Sequence, residues 1–341
     1  MATVLEALIT ASERAACIAR SCCTNTGKNS LLVAEKCEGE SNARFERDFK
    51  TIADVLAQES AKAEISKLCP ELSKHVRGEE CAEINDVCIK IQEDSVKTAE
   101  LLSLLVPEET ATKMAKATHD KIELSLSDQL PTDLPHMDLS DLGVWIDPID
   151  ATAEFIAGIR GEANAGQGLP CVTVLIGAYL MSTGEPVLGV INQPFFNNGE
   201  GRIVWGVCYG DVHKWSGNKE QPDDCTNNVL MSAAESDSIK SKFDSKWKLQ
   251  SLPGAGHKLL KVTLDEAAAY IVSKGTTFRW DTCAPHAILR AKGGEVLDFN
   301  TKSPITYNDP YDVDMQHHCN SQGIIAYSDP TVYEEIKKLL D

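Results

Sequence analysis

A chain of 341 residues, 43% hydrophobic and 25% charged, has the make-up of a soluble globular protein with about two domains. Its 51 acids against 33 lysines and arginines leave a formal charge of −18, which argues against nucleic-acid or anionic-membrane partners. Twelve cysteines contain no Cys-x-x-Cys pair, the N-terminus is not leader-like, and no apolar run approaches a membrane span. The expectation is a cytosolic monomer without a disulfide framework.

Residues 1–20 and about 48–68 have the apolar spacing of amphipathic helices, the second with Asp54 near its start. Val76 to Glu80 leaves a brief apolar patch at Gly78, and a helix-rich region at roughly 93–117 contains Pro107. An acidic, proline-broken loop is expected over 127–143. From 144 the periodicity changes to strands: Cys171–Leu180, Val187–Asn192 and Arg202–Tyr209 read as an antiparallel meander. The polar stretch 216–227 is a candidate boundary between an N-terminal α+β domain (1–226) and a C-terminal α/β domain (227–341). After it, strand and helix signals alternate: Val229–Met231, a helix near 236–246, Lys261–Val272, a helix from 281, Glu295–Phe299, Ile324–Tyr327 and a helix from 331.

The densest chemical signal is Trp145-Ile146-Asp147-Pro148-Ile149-Asp150-Ala151-Thr152. A strand ending in Asp147, a turn at Pro148 and Asp150 beside a helix start would put two acids in one small volume. At 4 Å two such charges repel by about 4 kcal/mol even at an effective dielectric of about 20, so a cation is expected between them. Oxygen-only ligands favour magnesium over zinc. Asp54, Glu79-Glu80 and Asp281 are further candidates. Singly they read as a surface acid, an exposed charge run and a helix N-cap; together with the Asp-Pro-Ile-Asp-Ala-Thr run they read as one site. Thr26-Gly27-Lys28-Asn29-Ser30 lacks the first glycine of a P-loop, Gly166-Gln167-Gly168 lacks a dinucleotide fingerprint's third, and no serine nucleophile elbow occurs.

Asp147 to Thr152, preceded by Gly78-Glu79-Glu80 and followed by Trp280-Asp281-x-x-Ala284, resembles the lithium-sensitive, magnesium-dependent phosphomonoesterase superfamily. That group holds inositol monophosphatases, fructose-1,6-bisphosphatases, bisphosphate nucleotidases and inositol polyphosphate 1-phosphatases. Phe49 to Leu56, Cys171 to Gly177, Gly189 to Phe195 and Ala287 to Ala291 look most like the last branch, so the resemblance covers nearly the whole chain. The long segment at roughly 84–140 is similar to the polyphosphate 1-phosphatase and nucleotidase branches.

The resemblance implies a layered α/β/α/β/α sandwich and two or three Mg2+ ions. It implies that Asp147 bridges two ions, that Glu79 and the Ile149 carbonyl complete the first site, and that Asp150 and Asp281 complete the second. Glu80 and Asp54 would be outer or third-metal carboxylates, and Thr152 would orient the attacking water. The amides of Ala151 and Thr152 would meet a phosphate oxygen, with Gly256, His257 and Lys258 as substrate contacts. Arg279 is a candidate either for screening a second phosphate or for packing on Trp280. The implied activity is lithium-inhibited removal of the 1-phosphate from inositol polyphosphates such as inositol 1,4-bisphosphate and inositol 1,3,4-trisphosphate. The alternatives are a 3′(2′),5′-bisphosphate nucleotidase and a non-catalytic inositol-phosphate sensor.

Overall fold

Local capping decides where the first helices begin in the computed structural model, which describes residues 3–23, 31–36, 48–124, 130–131, 133–217, 227–243, 245–311 and 313–340. Thr3 caps α1 (Val4–Ser21) by accepting from the Glu6 amide at 3.1 Å. Thr51 and Asp54 form a reciprocal capping box on α2 (Ile52–Leu68), with Asp54 Oδ2 accepting from the Thr51 amide at 2.8 Å. The expected helix over 48–68 therefore starts at 52. The residues before it form β2 (Phe49–Thr51), which pairs antiparallel with β1 (Val33–Glu35). Next come β3 (Val76–Gly78), the small hairpin β4 (Glu83–Ile84) and β5 (Val87–Cys88), then α3 (Ser95–Leu102) and α4 (Glu108–His119), separated at Pro107.

β6 (Leu142–Asp150), β7 (Thr173–Leu180), β8 (Pro186–Gln193), β9 (Arg202–Tyr209) and β10 (Val212–Trp215) build a sheet ordered β10-β9-β8-β7-β6-β3. The meander is antiparallel as its alternation predicts; only β3 runs parallel to its neighbour β6. A short helix, α5 (Thr152–Arg160), follows β6 directly. Parts of the acidic loop, the polar boundary stretch and the Gly27-Lys28 motif lie outside the described residues.

A second sheet has the order β12-β11-β13-β15-β14, from β11 (Asn228–Met231), β12 (Lys248–Ser251), β13 (Ala269–Val272), β14 (Glu295–Asp298) and β15 (Ile324–Tyr327). The helix expected near 236–246 is a single turn, α6 (Asp237–Lys240), and then gives way to β12. The apolar run Lys261–Val272 divides between the end of α7 (Ala255–Thr263) and β13. α8 (Arg279–Lys292) starts two residues before the expected Asp281, and α9 (Pro330–Leu340) closes the chain.

The layers follow from which faces are apolar. Leu8 and Ile9 of α1 and Val55 and Leu56 of α2 bury against Val144, Val174 and Val190 of the first sheet. On its other face Ala284 and Ile288 of α8 meet Leu175 and Ile191. The second sheet alternates: Leu230, Tyr270 and Val272 face Leu259 of α7 and Leu289 of α8, while Val229, Ile271 and Ile325 face Tyr333 and Ile336 of α9. The result is helix, sheet, helix, sheet, helix. A cross-strand row of three glycines seats α8: Gly177 pairs with Gly189 and Gly189 with Gly206. A Cβ on Gly189 would lie 2.0 Å from the Ala284 carbonyl oxygen and one on Gly177 2.5 Å from the Ala284 nitrogen. Pro285 falls in the second turn of α8, not the first, so the Asp281 carbonyl has no amide to accept from four residues on.

Candidate active site

The two acids of Asp147-Pro148-Ile149-Asp150 do not flank a turn. β6 runs through them, and its pairing with β7 shifts register between Asp147, opposite Leu175, and Asp150, opposite Thr173. Residues three apart on a regular strand point to opposite faces; one bulged residue restores the parity and sends both carboxylates the same way. Asp281 arrives from the first turn of α8, where its Oδ2 accepts from the Phe278 amide at 2.6 Å. Carboxylate oxygens of Asp147, Asp150 and Asp281 all lie within 4.8 Å of one another, and all three residues are buried.

Electrostatics make that trio expensive without a cation. Burial, then the charges of Glu79, Asp150 and Asp281, hold the Asp147 carboxyl well above its usual range. Burial, then Asp150 and Glu79, do the same to Asp281. Asp150 is raised by burial, against the opposing pull of the Gly256 amide (3.0 Å to Oδ2), Lys258 and the Thr173 hydroxyl (3.2 Å). Asp147 Oδ1 is buried with no hydrogen-bond partner. An orphaned carboxylate oxygen within a set of oxygen-only donors fits a hard divalent cation such as Mg2+. The residues present suit the ions that the sequence implies.

Beside the trio, α5 opens at Thr152 after Ala151, whose left-handed backbone (φ 69°) makes the sharp exit from β6. The Thr152 hydroxyl lies 3.1 Å from Asp54 Oδ1 and 3.2 Å from the Ile149 carbonyl. Asp54 is thus no surface acid: it is 1% exposed, with one oxygen capping α2 and the other on Thr152. Burial pushes its pKa up to about 6, with the Thr51 bonds opposing and Glu79 adding to the rise.

Glu79 lines the same cleft but lies outside the tight trio, and its Oε1 takes Lys36 Nζ at 2.6 Å. Lys36 also lies 2.8 Å from Glu80 Oε1. Burial disfavours the Lys36 ammonium, yet Glu79, Glu80 and Asp48 hold its pKa well above the ordinary value. Burial pushes Glu80 up to about 8 against the pull of Lys36. Gln58 fixes this corner: its Nε2 donates to the Glu80 carbonyl, its Oε1 accepts from the Glu80 amide at 2.8 Å, and Gly78 leaves room for it. Neither Lys36 nor Gln58 stands out in the sequence, because each sits among ordinary surface-like neighbours with no spacing signal.

These groups open into a cleft of about 1060 Å³ that also meets Leu252, Lys258, Lys274, Thr276 and Trp280. Gly256 lends its amide to Asp150, and a Cβ there would be 2.4 Å from the Thr173 hydroxyl oxygen. Lys258 Nζ donates to the carbonyls of Leu252 (3.0 Å) and Gly254 (2.7 Å). Burial pulls its pKa down to about 8, with Asp150 and Asp281 opposing. His257 turns to the Pro253 carbonyl at 3.3 Å and is absent from the residues that line the cleft. Arg279 pairs with Asp309 at 3.0 Å.

The model of the "Inositol monophosphatase family" matches residues 1–338. Mouse "Inositol polyphosphate 1-phosphatase" is 35% identical, covering 96% of this chain and 94% of its own length; the bovine protein of that name is 36% identical over 87% and 84%. Human "3′(2′),5′-bisphosphate nucleotidase 1" is 29% identical over 86% and 85%. Among solved structures, the "extragenic suppressor protein suhB" of Bartonella henselae superposes with a TM-score of 0.59 over 100% of this chain and 99% of its own, at 16% identity, a likeness of fold. A buried carboxylate cage between two sheets, on a chain matched almost end to end, leads to one assignment: the chain belongs to the inositol monophosphatase family.

Proposed function

We propose that this protein is a magnesium-dependent phosphomonoesterase that removes the 1-phosphate from inositol polyphosphates. The observation that carries the reading is the Asp147/Asp150/Asp281 cage beside the Asp54–Thr152 pair, on a chain 33–36% identical to three mammalian proteins named for that activity. Phosphate monoesters are so inert that catalysis must come from positioning and charge stabilisation. Bound divalent cations would supply a water of lowered pKa and neutralise charge on the departing oxygen. Asp147 would serve both sites, with Glu79 and the Ile149 carbonyl at the first and Asp150 and Asp281 at the second. Glu80 would remain an outer carboxylate.

Thr152 and Asp54 would orient the attacking water, and Asp54 would take up its proton as the new phosphorus–oxygen bond forms; the bond to the ring oxygen breaks, and that oxygen takes a proton from solvent to leave as the hydroxyl. The backbone amides of Ala151 and Thr152, at the start of α5, receive a phosphate oxygen. Lys258 and Lys274 are the cations among the described residues lining the cleft. Lys258 is committed to two carbonyls, whereas Lys274 is half-buried and gives one bond, to the Ala234 carbonyl at 2.7 Å. An ammonium has three protons to donate, which supports Lys274 as the contact for a second phosphate.

The weaker nucleotidase relatives need the same cage, so substrate choice decides between the two activities. Purified protein with Mg2+ should release phosphate from inositol 1,4-bisphosphate faster than from adenosine 3′,5′-bisphosphate, and lithium should inhibit it. The reverse order of rates would assign the nucleotidase reading, and no release from either would reject both. Lys274→Ala should raise KM for the inositol bisphosphate about tenfold with little change in kcat, the expected loss of one charge-assisted contact. A cytosolic setting belongs to the same proposal; no helix among the described residues is long and apolar enough to cross a membrane.

A further inference from the structure

The ligands of the cage come from both halves of the molecule, and one short segment is tied to all of their supports. Residues 305–311 leave the second sheet, where the Ile305 amide donates to the Val296 carbonyl at 3.1 Å. They cross to the first sheet, where the Tyr307 amide donates to the Gly184 carbonyl at 3.0 Å. There Arg77 of β3 grips the segment. Its Nη1 donates to the carbonyls of Asp309 (2.9 Å) and Pro310 (3.2 Å), and its Nη2 to the Tyr307 carbonyl (3.3 Å) and the Tyr179 hydroxyl (2.6 Å). The guanidinium lies over both Trp145 (4.0 Å to the ring centroid) and Tyr311 (4.3 Å). Trp145 Nε1 also donates to the Tyr307 carbonyl at 3.1 Å.

From the other side, the Asp309 side chain takes Arg279 Nε at 3.0 Å and meets His318 Nδ1 at 3.2 Å. One residue therefore holds β3 by its backbone and α8 by its carboxylate. Burial would raise the Asp309 pKa, but His318 and Arg279 bring it below the usual range. Three of the residues that touch the segment share a place in the sequence relative to the cleft acids. Arg77 stands two before Glu79, Trp145 two before Asp147, and Arg279 two before Asp281. On a strand the residue two along shares the same face, so fixing Trp145 fixes the direction in which Asp147 projects; Glu79 follows β3 directly, its amide donating to the Ile146 carbonyl at 3.1 Å. Arg279 opens the helical turn from which Asp281 projects.

We propose that residues 305–311 act as a strap that sets the distance between the metal ligands of the two halves, with Asp309 as its tie point. Asp309, Arg77 and Arg279 are positioning residues: none touches the reacting atoms. The inference rests on the metal-dependent reading above and adds to it a reason for the cage's geometry. Without the strap, α8 can shift on its glycine seat and Asp281 loses register with Asp147 and Asp150.

Calorimetric titration of Mg2+ into the folded protein tests this without relying on turnover. Asp309→Asn, which keeps the shape but removes the charge paired with Arg279, should weaken Mg2+ binding about tenfold, while KM for substrate at saturating Mg2+ stays within about twofold and kcat recovers. Arg279→Lys and Trp145→Phe, both milder, should each weaken Mg2+ binding several-fold and serve if the Asn variant does not fold. A merely structural role would lower the melting temperature without moving Mg2+ affinity, and that outcome overturns the strap while leaving the phosphatase reading intact. Failure of the wild-type protein to bind Mg2+ would overturn both.

Discussion

At the scale of single residues, the Thr152–Asp54 pair is where the proposed chemistry can be tested most specifically. A hydroxyl 3.1 Å from a buried carboxylate can steer a water but contributes little to the cage itself. Thr152→Ala should therefore cut kcat on the order of 10²–10⁴-fold, the usual worth of positioned acid–base groups, with Mg2+ affinity nearly unchanged; stopped assays at saturating Mg2+ beside calorimetry separate the two. His257 makes a stability prediction. Burial pulls its pKa down to about 4 from the ordinary 6.5. Between those values the unfolded chain binds the proton and the folded one does not, so stability rises with pH across that window and is lost as pH falls through it. In urea titrations, the advantage of wild type over His257→Asn should be constant above about pH 6.5 and shrink towards pH 4. A pH-independent difference would mean that this imidazole is not the buried neutral ring described.

Among the elements, α8 matters most, because it brings Asp281 across to β6. Its seat is the Gly177–Gly189–Gly206 row, where the nearest atom an added Cβ would meet is in each case α8 backbone. Gly189→Ala should cost about 1–3 kcal/mol or more by overpacking, seen as a lower urea midpoint. It should also weaken Mg2+ binding, since relief requires α8 to move. Gly161→Ala, at the end of α5 with φ 68° and nothing within 4 Å of the added methyl, shows the cost of backbone strain without overpacking and should leave Mg2+ binding unchanged. This seat explains what could and could not be read in advance. The meander strands were legible because alternating apolar residues fill both faces, and Arg202–Tyr209 has the bounds its pattern predicts. The bulge in β6 was not, since Pro148 signals a turn locally and only pairing with β7 keeps the chain extended. Lys261–Val272 divides for a related reason: its apolar residues serve a helix end and then a strand, and periodicity changes with no Gly or Pro between them. The acids of the site were legible from their motifs, whereas Lys36, Gln58 and Asp309 are marked only by what the fold brings beside them.

Across the whole molecule, charge is out of balance around the cage. Asp54, Glu80, Asp147, Asp150 and Asp281 are all under 10% exposed, and the buried lysines among the described residues, Lys36, Lys50 and Lys258, are fewer than these carboxylates. Divalent cations held in the cage would restore that balance only in the native state, so they should stabilise it by mass action, about 2.7 kcal/mol at a hundredfold excess over Kd. On the proposed reading a strongly acidic protein can still attract phosphate, because cations held in the cage, not the surface charge, would meet the substrate. Calorimetric titration of Mg2+ into wild-type protein and Asp281→Asn tests that claim most directly. Saturable binding by wild type, weakened a hundredfold or more in the variant, is the predicted result. Equal binding by the two proteins, or none by wild type, would contradict a cage built from Asp147, Asp150 and Asp281.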